Sequence, residues 1–303
     1  MGTFQRVKII INPASGTPEP VLSVLNEVFA PAGIEWDIAL THASGDGVTA
    51  ARVAVEQGYD VVGVYGGDGT VAEVASALAQ NGPPMLLLPG GTGNALADEL
   101  GIPTTLADAA ALVLEDAAEV RRIDLGQVGE RFFVLRITMG IETALVDAAT
   151  REMKDRLGWL AYLVAGVQAL ADPQTATYSI TVDDESFTVE GVAAMVANSA
   201  SVGRLSGVKM ARGVDVSDGM LDVVVARSAA LPNLLRSAAS AAAGQEPGGL
   251  DRWTGRRIRI EASPPQKLLA DGEDAGTSPV DVTILPAAVG VLVPAATVAN
   301  ETT

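Results

Sequence analysis

Short apolar runs alternate with amphipathic stretches through the first 125 residues of the chain. Four of these runs predict β-strands, at Arg6–Ile11, Ile34–Thr41, Asp60–Tyr65 and Met85–Gly90. The intervening stretches have helical spacing and predict helices, at Pro20–Gly33, Gly47–Gly58, Val71–Gly82 and Ala95–Gly101. Uninterrupted apolar strands are typical of parallel sheets that are buried on both faces. The alternation therefore predicts an α/β domain built on a parallel sheet.

The pattern changes after about Gly126, where short strand-like segments separated by turn residues replace the strand–helix alternation. Thr177–Gly191 has the pattern of a β-hairpin, and helical patches at Arg151–Leu170 and Leu231–Ala243 interrupt the strands. We therefore predict an α/β domain over residues 1–125 and a second, mostly antiparallel β domain over residues 126–286. The C-terminal tail at about 287–303 is expected to pack back on the first domain.

Composition and charge exclude several classes of function. The 303 residues include 20 Lys and Arg against 37 Asp and Glu, a net charge of −17, so the overall field does not attract nucleic acid. The chain has no cysteine and a single histidine, His42, which excludes disulfides and cysteine- or histidine-rich metal clusters.

The longest uncharged, largely apolar stretch, Leu157–Leu170, is too short to span a bilayer, and the N-terminus lacks a signal-peptide pattern. We expect a cytoplasmic protein that meets any lipid substrate peripherally.

Three predicted strands run into loops of small residues, and each loop opens a helix. The loops lie within Ile9–Gly16, Val64–Val74 and Leu87–Ala97. Parallel strands place them at the carboxyl edge of the sheet, where open α/β sheets bind ligands. Backbone N–H groups and helix N-termini there favour an anion, most naturally phosphate. The residues expected at this site are glycines that expose the backbone and side-chain donors, namely Gly66, Gly67, Gly69, Gly91, Ser15, Thr70, Thr92 and Asn94.

Asp68 stands among these glycines, where phosphate would repel its carboxylate unless it acts on a proton or a cation. It is therefore a candidate general base for a hydroxyl group, or a ligand that holds Mg²⁺ against phosphates. Either role indicates phosphoryl transfer. No lysine of the P-loop type follows these loops. Gly67–Ala72 fits the dinucleotide fingerprint G-x-G-x-x-A, but the acid expected after the next strand is missing, which disfavours a dehydrogenase.

Several motifs resemble the catalytic domain of diacylglycerol kinases and their lipid-kinase relatives, which include sphingosine and ceramide kinases. They occur in family order over nearly the whole chain: "INPASG" (Ile11–Gly16), "GGDGT" (Gly66–Thr70), "PGGTGNALA" (Pro89–Ala97), "RRIDLGQV" (Arg121–Val128), "VANSASVG" (Val196–Gly203), "DGMLDVVV" (Asp218–Val225) and "LLADGE" (Leu268–Glu273). The resemblance implies an α/β ATP-binding domain followed by a β-sandwich lipid-acceptor domain. It also implies ATP and Mg²⁺ as cofactors, and transfer of the γ-phosphate to a lipid hydroxyl.

Carried over position by position, the resemblance implies roles for further residues. Nucleotide contacts are expected at Asn12, Ser15 and Thr41. Asp271 and Glu273 would join the active site from the second domain, with Asp68 or Asp271 as the base. The candidate metal ligands are Asp68, Asp124, Asp215 and Asp218. The alternatives are a plain turn at Asp271, pairing of Asp124 with Arg121 or Arg122, and a solvated turn at Asp215–Asp222.

The chain departs from the family pattern at positions that bear on the acceptor lipid. Ala95 and Asp98 replace an acid and an arginine of many bacterial relatives, and Glu142 replaces an aspartate. The identity of the lipid therefore stays open, as does the choice between lipid contact and a core helix for Leu157–Leu170. The functional alternatives are an NAD-kinase-like enzyme for a non-lipid alcohol and an inactive nucleotide-binding regulator. A homodimer is compatible with a lipid kinase and with both of these alternatives.

Overall fold

The computed structural model describes residues 4–16, 19–114, 118–140, 175–199, 201, 214–227 and 250–295. The chain divides into two compact units, one formed by Met1–Leu125 with Ala287–Thr303 and the other by Gly126–Pro286. The predicted helical patches at residues 151–170 and 231–243, together with Glu142, lie outside the described residues.

The first unit is built on a parallel sheet. Its first four strands are β1 (Arg6–Ile11), β2 (Glu35–Leu40), β3 (Val61–Gly66) and β4 (Met85–Pro89). They lie in the order β2-β1-β3-β4, and each neighbouring pair is parallel. All six residues of β3 are buried, as expected for a strand covered on both faces. The predicted α/β fold with a parallel sheet is confirmed.

Five α-helices accompany this sheet within the described part of the unit. They are α1 (Val21–Phe29), α2 (Asp46–Glu56), α3 (Asp68–Leu78), α4 (Ala95–Glu99) and α5 (Leu106–Ala111). After α1 a short 3-10 turn ends at Gly33, whose φ of 70° closes the helix. The predicted apolar stripe of α3 is buried at Val71, Val74 and Leu78. The helix itself begins at Asp68, earlier than the apolar pattern indicated, because its first turn is made of small and polar residues.

The strand order contains a switch of direction between β1 and β3. The chain passes from β1 to β2 on one side and then returns to β3 and β4 on the other side. Open α/β sheets bind ligands in the crevice at such a point, beyond the carboxyl ends of the strands. The loops that follow β1 and β3 therefore flank the expected binding crevice.

The second unit is made of antiparallel strands. With those that connect it to the first unit, its strands are β5 (Ala118–Val128), β6 (Arg131–Phe133), β7 (Arg136–Met139), β8 (Ala176–Val182), β9 (Glu185–Gly191), β10 (Ala193–Ala197), β11 (Leu221–Ala226), β12 (Leu250–Gly255), β13 (Arg257–Ser263), β14 (Lys267–Ala270), β15 (Glu273–Thr277) and β16 (Val280–Pro294). The hairpin predicted over Thr177–Gly191 is formed by β8 and β9.

Two layers of strands enclose one core in this unit. One layer has the order β16-β13-β8-β9 and the other the order β12-β11-β10-β7-β14-β15. Tyr178 and Ile180 from the first layer share a buried cluster with Val223 and Val225 from the second. Two antiparallel sheets around a common core form a β-sandwich. The predicted β-sandwich, with mostly antiparallel strands, is therefore confirmed for the second unit.

β5 and β16 each contribute residues to both units. In the first unit, the last part of β16 lies parallel to β4, with Val291 opposite Met85. Val291, Leu292 and Val293 are fully buried there. The C-terminal part of the chain thus supplies core residues beside the four parallel strands of the first unit, which come from the N-terminal part.

Candidate active site

Three loops leave the carboxyl ends of β1, β3 and β4, and their glycines pack against one another. A Cβ added to Gly16, which has a φ of 75°, would lie 1.9 Å from the carbonyl oxygen of Gly90. A Cβ added to Gly91 would lie 2.5 Å from Cα of Gly67. Neither contact tolerates a side chain. These glycines are needed to bring the loop backbones together, a reason that the sequence analysis did not identify.

Gly69 is different, because a Cβ added there would meet nothing within 4 Å. It is exposed in the first turn of α3, where the N–H groups have no acceptor within their own helix. The positive end of the helix dipole points to the same place. Gly69 and the neighbouring amides therefore offer the open, electropositive surface that a phosphate group requires.

Asp68 links the starts of two helices. Its Oδ1 accepts a hydrogen bond of 2.7 Å from the N–H of Ala95, the first residue of α4. The N-cap residue of α4, Asn94, makes no side-chain cap bond, so Asp68 performs the capping from the neighbouring helix. A Cβ added to Gly93 would lie 2.6 Å from Oδ2 of Asp68, so Gly93 leaves room for this carboxylate.

Asn94, a predicted nucleotide ligand, is committed to its own loop. Its Oδ1 accepts from the N–H of Gly91 at 2.9 Å, and its Nδ2 donates to the carbonyl oxygen of Gly91 at 2.7 Å. The residue is buried, with a left-handed φ of 51°. Thr92, the other donor predicted in this loop, is exposed. The loop after β4 is thus held in shape by Asn94 and presents Thr92 to solvent.

The loop after β1 is bonded to the start of α3. Asn12 Nδ2 donates to Thr70 Oγ1 at 3.0 Å, and Ser15 Oγ accepts from the N–H of Gly67 at 3.3 Å. Gly66 lies against the same threonine, since an added Cβ would be 2.9 Å from Thr70 Cβ. The structure therefore brings together the predicted residues of the first two loops.

Thr41 lies at the same edge of the sheet. It is buried at the end of β2, and its N–H donates to the carbonyl oxygen of Ile11 at 2.9 Å. Asn12, which directly follows β1, donates its N–H to the carbonyl oxygen of Tyr65 in β3 at 2.9 Å. The loops after β2, β1 and β3 thus start side by side.

Asp124 is buried in β5 and holds a bend in β16. Its Oδ1 accepts from the N–H of Ala287 at 2.7 Å, and Ala287 has a positive φ of 48°. Arg122 binds the other side of this residue, donating from Nε to the carbonyl oxygen of Ala287 at 2.8 Å. The carboxylate therefore has a clear structural contact in addition to its predicted place among metal ligands.

In the second unit, Asp271 organises the turn between β6 and β7. Its Oδ2 accepts from the N–H of Val134 at 2.7 Å, and its Oδ1 accepts from the N–H groups of Leu135 and Arg136, both at 2.9 Å. Burial raises the pKa of Asp271, and the three backbone hydrogen bonds oppose that rise. The turn at Val134 and Leu135, which Asp271 binds, separates β6 from β7.

The remaining predicted acids lie on other turns and edges. Glu273 is exposed at the start of β15. Asp215 Oδ1 accepts from the N–H of Ser217 at 2.8 Å, and Asp218 Oδ1 accepts from the N–H of Met220 at 2.9 Å. Within the described ranges, no three or more His, Asp or Glu residues lie close enough to hold a metal ion by themselves. Asp68, Asp124, Asp215 and Asp218 stay predicted metal ligands.

Glu73 is a functional candidate that the sequence analysis did not identify. It lies on α3 and accepts hydrogen bonds from the loop between β2 and α2. The only signal in the sequence is an acid within the amphipathic segment after "GGDGT", which is also typical of a solvated helix face.

As for membrane insertion, none of the helices that the structure describes is long and apolar enough to cross a bilayer.

Both parts of the chain match known protein families. Residues 6–128 match the family described as the diacylglycerol kinase catalytic domain, and residues 136–293 match the YegS C-terminal NAD kinase beta sandwich-like domain. A diacylglycerol kinase of Bacillus subtilis is 31% identical, over 91% of this chain and 92% of that protein. A diacylglycerol kinase of Mycobacterium tuberculosis is 30% identical, over 80% of this chain and 79% of that protein.

A solved structure shares the fold of this chain. A crystal structure of a diacylglycerol kinase from Bacillus anthracis superposes with a TM-score of 0.80 and covers 98% of this chain and 99% of that one. The two sequences are 22% identical, so this match establishes the fold. Together with the match of both domains and the relatives above, it leads to one conclusion: the chain belongs to the diacylglycerol kinase family of lipid kinases.

Proposed function

We propose that this protein is an ATP-dependent lipid kinase that transfers the γ-phosphate of ATP to a hydroxyl group of a lipid such as diacylglycerol or a sphingoid base. One observation carries the proposal. A carboxylate, Asp68, stands at the first turn of α3 beside the open surface over Gly69, next to the switch point of a parallel sheet. The relatives named diacylglycerol kinase support the class of acceptor.

The nucleotide phosphates would lie on the first turn of α3. The backbone N–H groups of Gly69 and Thr70 and the helix dipole would neutralise part of their charge. Asn12, bonded to Thr70, and Ser15, bonded to Gly67, would hold the loop after β1 along the same phosphates. The proposed contacts to the phosphates at the first turn of α3 thus come from backbone N–H groups and from neutral side chains.

The residues present fit a bound Mg²⁺ ion. Mg²⁺ commonly takes one or two protein carboxylates and completes its shell with water and substrate phosphates. Asp68 supplies a carboxylate at the phosphate surface, which suffices for that mode, and no all-protein cage is needed. Bound there, the ion would neutralise charge on the transferring phosphoryl group.

The proton of the acceptor hydroxyl needs a base, and we assign it to Asp68. The acceptor oxygen forms a bond to the γ-phosphorus, the bond from that phosphorus to the bridging oxygen of ADP breaks, and the hydroxyl proton passes to the carboxylate. Asp68 Oδ1 accepts a hydrogen bond from the N–H of Ala95, which holds the carboxylate at the first turn of α3. Asp271 is a weaker candidate, because three backbone N–H groups bind its two oxygens.

The test is ATP-dependent phosphate transfer to diacylglycerol, sphingosine, ceramide and polyprenol in mixed micelles with Mg²⁺. We expect transfer to one of these lipids, and a loss of at least about 100-fold in kcat for Asp68→Asn, as is typical when a general base is removed. Glu56→Gln, an exposed position of α2, is the matched control and should keep full activity.

Other outcomes select the alternatives. Phosphorylation of a soluble alcohol without any need for micelles would favour the NAD-kinase-like enzyme. Tight ATP binding without transfer to any acceptor would favour the regulatory protein. Full activity of Asp68→Asn would refute the assignment of the base and direct the search to Asp271.

A further inference from the structure

Tyr65 is a buried aromatic residue against which the loop after β4 packs. It is the fifth residue of β3, directly before the "GGDGT" segment, and 4% of it is exposed. A Cβ added to Gly90 would lie 2.9 Å from each of three ring atoms of Tyr65, namely Cε1, Cε2 and Cζ. A point equally far from three atoms of a ring lies on the axis through the ring centre. Gly90 therefore lies over the face of the ring, and the flat side chain is the surface on which the loop begins.

The loop after β1 also contacts Gly90. A Cβ added to Gly16 would lie 1.9 Å from the carbonyl oxygen of Gly90. A side chain at Gly90 would meet the ring of Tyr65, and a side chain at Gly16 would meet the carbonyl group. The backbone at Gly90 thus has no free space toward either neighbour, and the ring of Tyr65 fixes its position.

The hydroxyl group of Tyr65 makes a weaker contribution than the ring. It donates a hydrogen bond of 3.2 Å to Oε2 of Glu19, an exposed residue that stands two positions before α1. Burial raises the pKa of Tyr65, and the carboxylate of Glu19 adds to the rise, so the hydroxyl keeps its proton at neutral pH. A bond of this length to an exposed acceptor adds little to the position of the ring.

The five-residue loop 90–94 is held at its other end by Asp68. Oδ1 of Asp68 accepts a hydrogen bond of 2.7 Å from the N–H of Ala95, the residue that follows the loop. Between the two ends, a Cβ added to Gly91 would lie 2.5 Å from Cα of Gly67. The loop therefore has one contact with the ring of Tyr65 and two with the segment that begins α3.

Asn94 makes the loop internally rigid, because it binds both the N–H and the carbonyl group of Gly91. A short loop that is closed in this way has little slack. A displacement at Gly90 is therefore passed on to the contact with Asp68. The exposed Thr92 lies in the middle of the same loop and would move with it.

We propose that Tyr65 is a positioning residue for phosphate transfer, whose ring fixes Gly90 and through it the loop 90–94 relative to Asp68. The side chain is buried and acts through the loop, without touching the nucleotide or the acceptor. The inference rests on the proposed function, in which Asp68 receives the proton. Loss of the ring should slow transfer and leave ATP affinity unchanged, because the phosphate surface over Gly69 belongs to α3.

A pair of variants separates the ring from the rest of the side chain. Tyr65→Leu keeps an apolar side chain but removes the flat ring, whereas Tyr65→Phe keeps the ring and removes only the hydroxyl group. We would measure kcat with mixed-micelle diacylglycerol, and the dissociation constant of Mg²⁺–ATP by calorimetry. A shift of about 1 Å near the reacting groups can cost 100-fold in rate, so we expect kcat to fall at least about tenfold for Tyr65→Leu. Tyr65→Phe should keep the original kcat, and both variants should keep the original ATP affinity.

Gly90→Ala tests the same contact from the loop. The φ of Gly90 lies outside the left-handed region, so the backbone admits alanine, but the methyl group would lie against the ring of Tyr65. We expect a loss of kcat for this variant as well. The double variant Tyr65→Leu with Gly90→Ala should lose less than the two single losses combined, because the removed ring leaves room for the methyl group.

A second readout does not depend on activity. In ¹H–¹⁵N spectra of the full chain, the amide signals of Gly91 and Thr92 should move in Tyr65→Leu and in Gly90→Ala, and should stay in place in Tyr65→Phe. Urea unfolding of each variant shows how much folded protein contributes to kcat.

Several results would overturn the inference. An unchanged kcat in Tyr65→Leu, with only a lower stability, would leave Tyr65 as an ordinary core residue. An equal loss of kcat in Tyr65→Phe would assign the effect to the hydroxyl bond with Glu19. If the unaltered protein binds Mg²⁺–ATP but transfers phosphate to no acceptor, the kinase proposal fails, and the amide signals decide alone whether the ring positions the loop.

Discussion

Glycines in the three loops fall into two kinds when their surroundings are compared. Gly16 and Gly91 meet another backbone so closely that a methyl group would clash, whereas Gly69 faces open space. A glycine without steric need costs a helix up to about 1 kcal/mol relative to alanine. A ligand that approaches the backbone would give glycine a reason to stand at this position.

Replacing Gly69 by alanine separates stability from binding. We expect the free energy of unfolding to rise by up to about 1 kcal/mol, because alanine is the better helix former. We expect Mg²⁺–ATP to bind at least about tenfold more weakly, because the methyl group occupies the phosphate surface. Urea unfolding and calorimetry measure the two effects, and Glu56→Ala is the control for helix propensity alone. Unchanged ATP affinity would contradict the phosphate position.

Tyr178 gives a prediction that depends on pH. Burial raises its pKa to about 12, and within the described residues its hydroxyl has no hydrogen-bond partner. The unfolded chain ionises this tyrosine near its ordinary pKa of about 10, while the folded chain does not. Its contribution to stability is therefore complete below about pH 10 and is lost as the pH rises toward about 12.

The Tyr178→Phe variant tests that sign. Between about pH 10 and 12 the original protein should lose roughly 2–3 kcal/mol of stability through this residue, and the variant should lose correspondingly less. At neutral pH the variant should be as stable as the original or more so, because no described bond is removed. Chemical unfolding at several pH values measures both effects. An equal loss at high pH in the two proteins would refute the assignment.

Among the elements, the turn between β6 and β7 depends on one distant side chain. Asp271 accepts hydrogen bonds from the N–H groups of three consecutive residues in this turn. Asp271→Asn should lower the free energy of unfolding by about 1–3 kcal/mol, because an amide nitrogen then faces a backbone donor. If this variant instead kept its stability and lost only kcat, Asp271 would be the base. Urea unfolding and steady-state kinetics on the same preparation distinguish the two results.

The C-terminal part of β16 makes a second prediction at this scale. Val289, Val291, Leu292 and Val293 are buried in the first unit. Burial of each such side chain contributes roughly 1.5–3 kcal/mol, so a chain that ends at Pro286 should not fold its first unit. We expect the truncated chain to show a much weaker helical signal in circular dichroism than the full chain. A truncation after Pro294 is the control, since it keeps the whole strand.

The patterns along the chain predicted most of these elements, but not all. The apolar runs of β3 and β4 are visible because these strands are buried almost throughout, whereas β2, at the edge of the sheet, has no buried residue. α5 was not predicted, and neither was the break between β6 and β7. The break could not be predicted because nothing in the local sequence tells that a carboxylate far along the chain binds the backbone there.

At the scale of the whole molecule, the net charge of −17 leads to a prediction about binding to lipid surfaces. At low ionic strength the overall field should repel anionic lipid surfaces. We expect less protein to sediment with vesicles that contain phosphatidylserine than with neutral phosphatidylcholine vesicles. The difference should disappear near 1 M salt, where the screening length is about 3 Å.

A variant that replaces exposed acids, such as Asp184→Lys with Glu190→Lys, is the control for this effect. It should narrow the difference between the two kinds of vesicle. Stronger sedimentation with anionic vesicles, weakening as salt is added, would instead reveal a local basic patch that overrides the net charge.

The sequence by itself determined the α/β alternation, the antiparallel second half, the three small-residue loops and the place of Asp68 within one of them. These features are local, because they follow from periodicity and from residues that are close together along the chain. The tertiary structure decided which groups the loops actually contact. Asp68 binds Ala95 across 27 positions and Asp271 binds Val134 across 137. Glycines that look alike in the sequence became different, and Glu73 gained a role, because only folding brings distant donors and acceptors together.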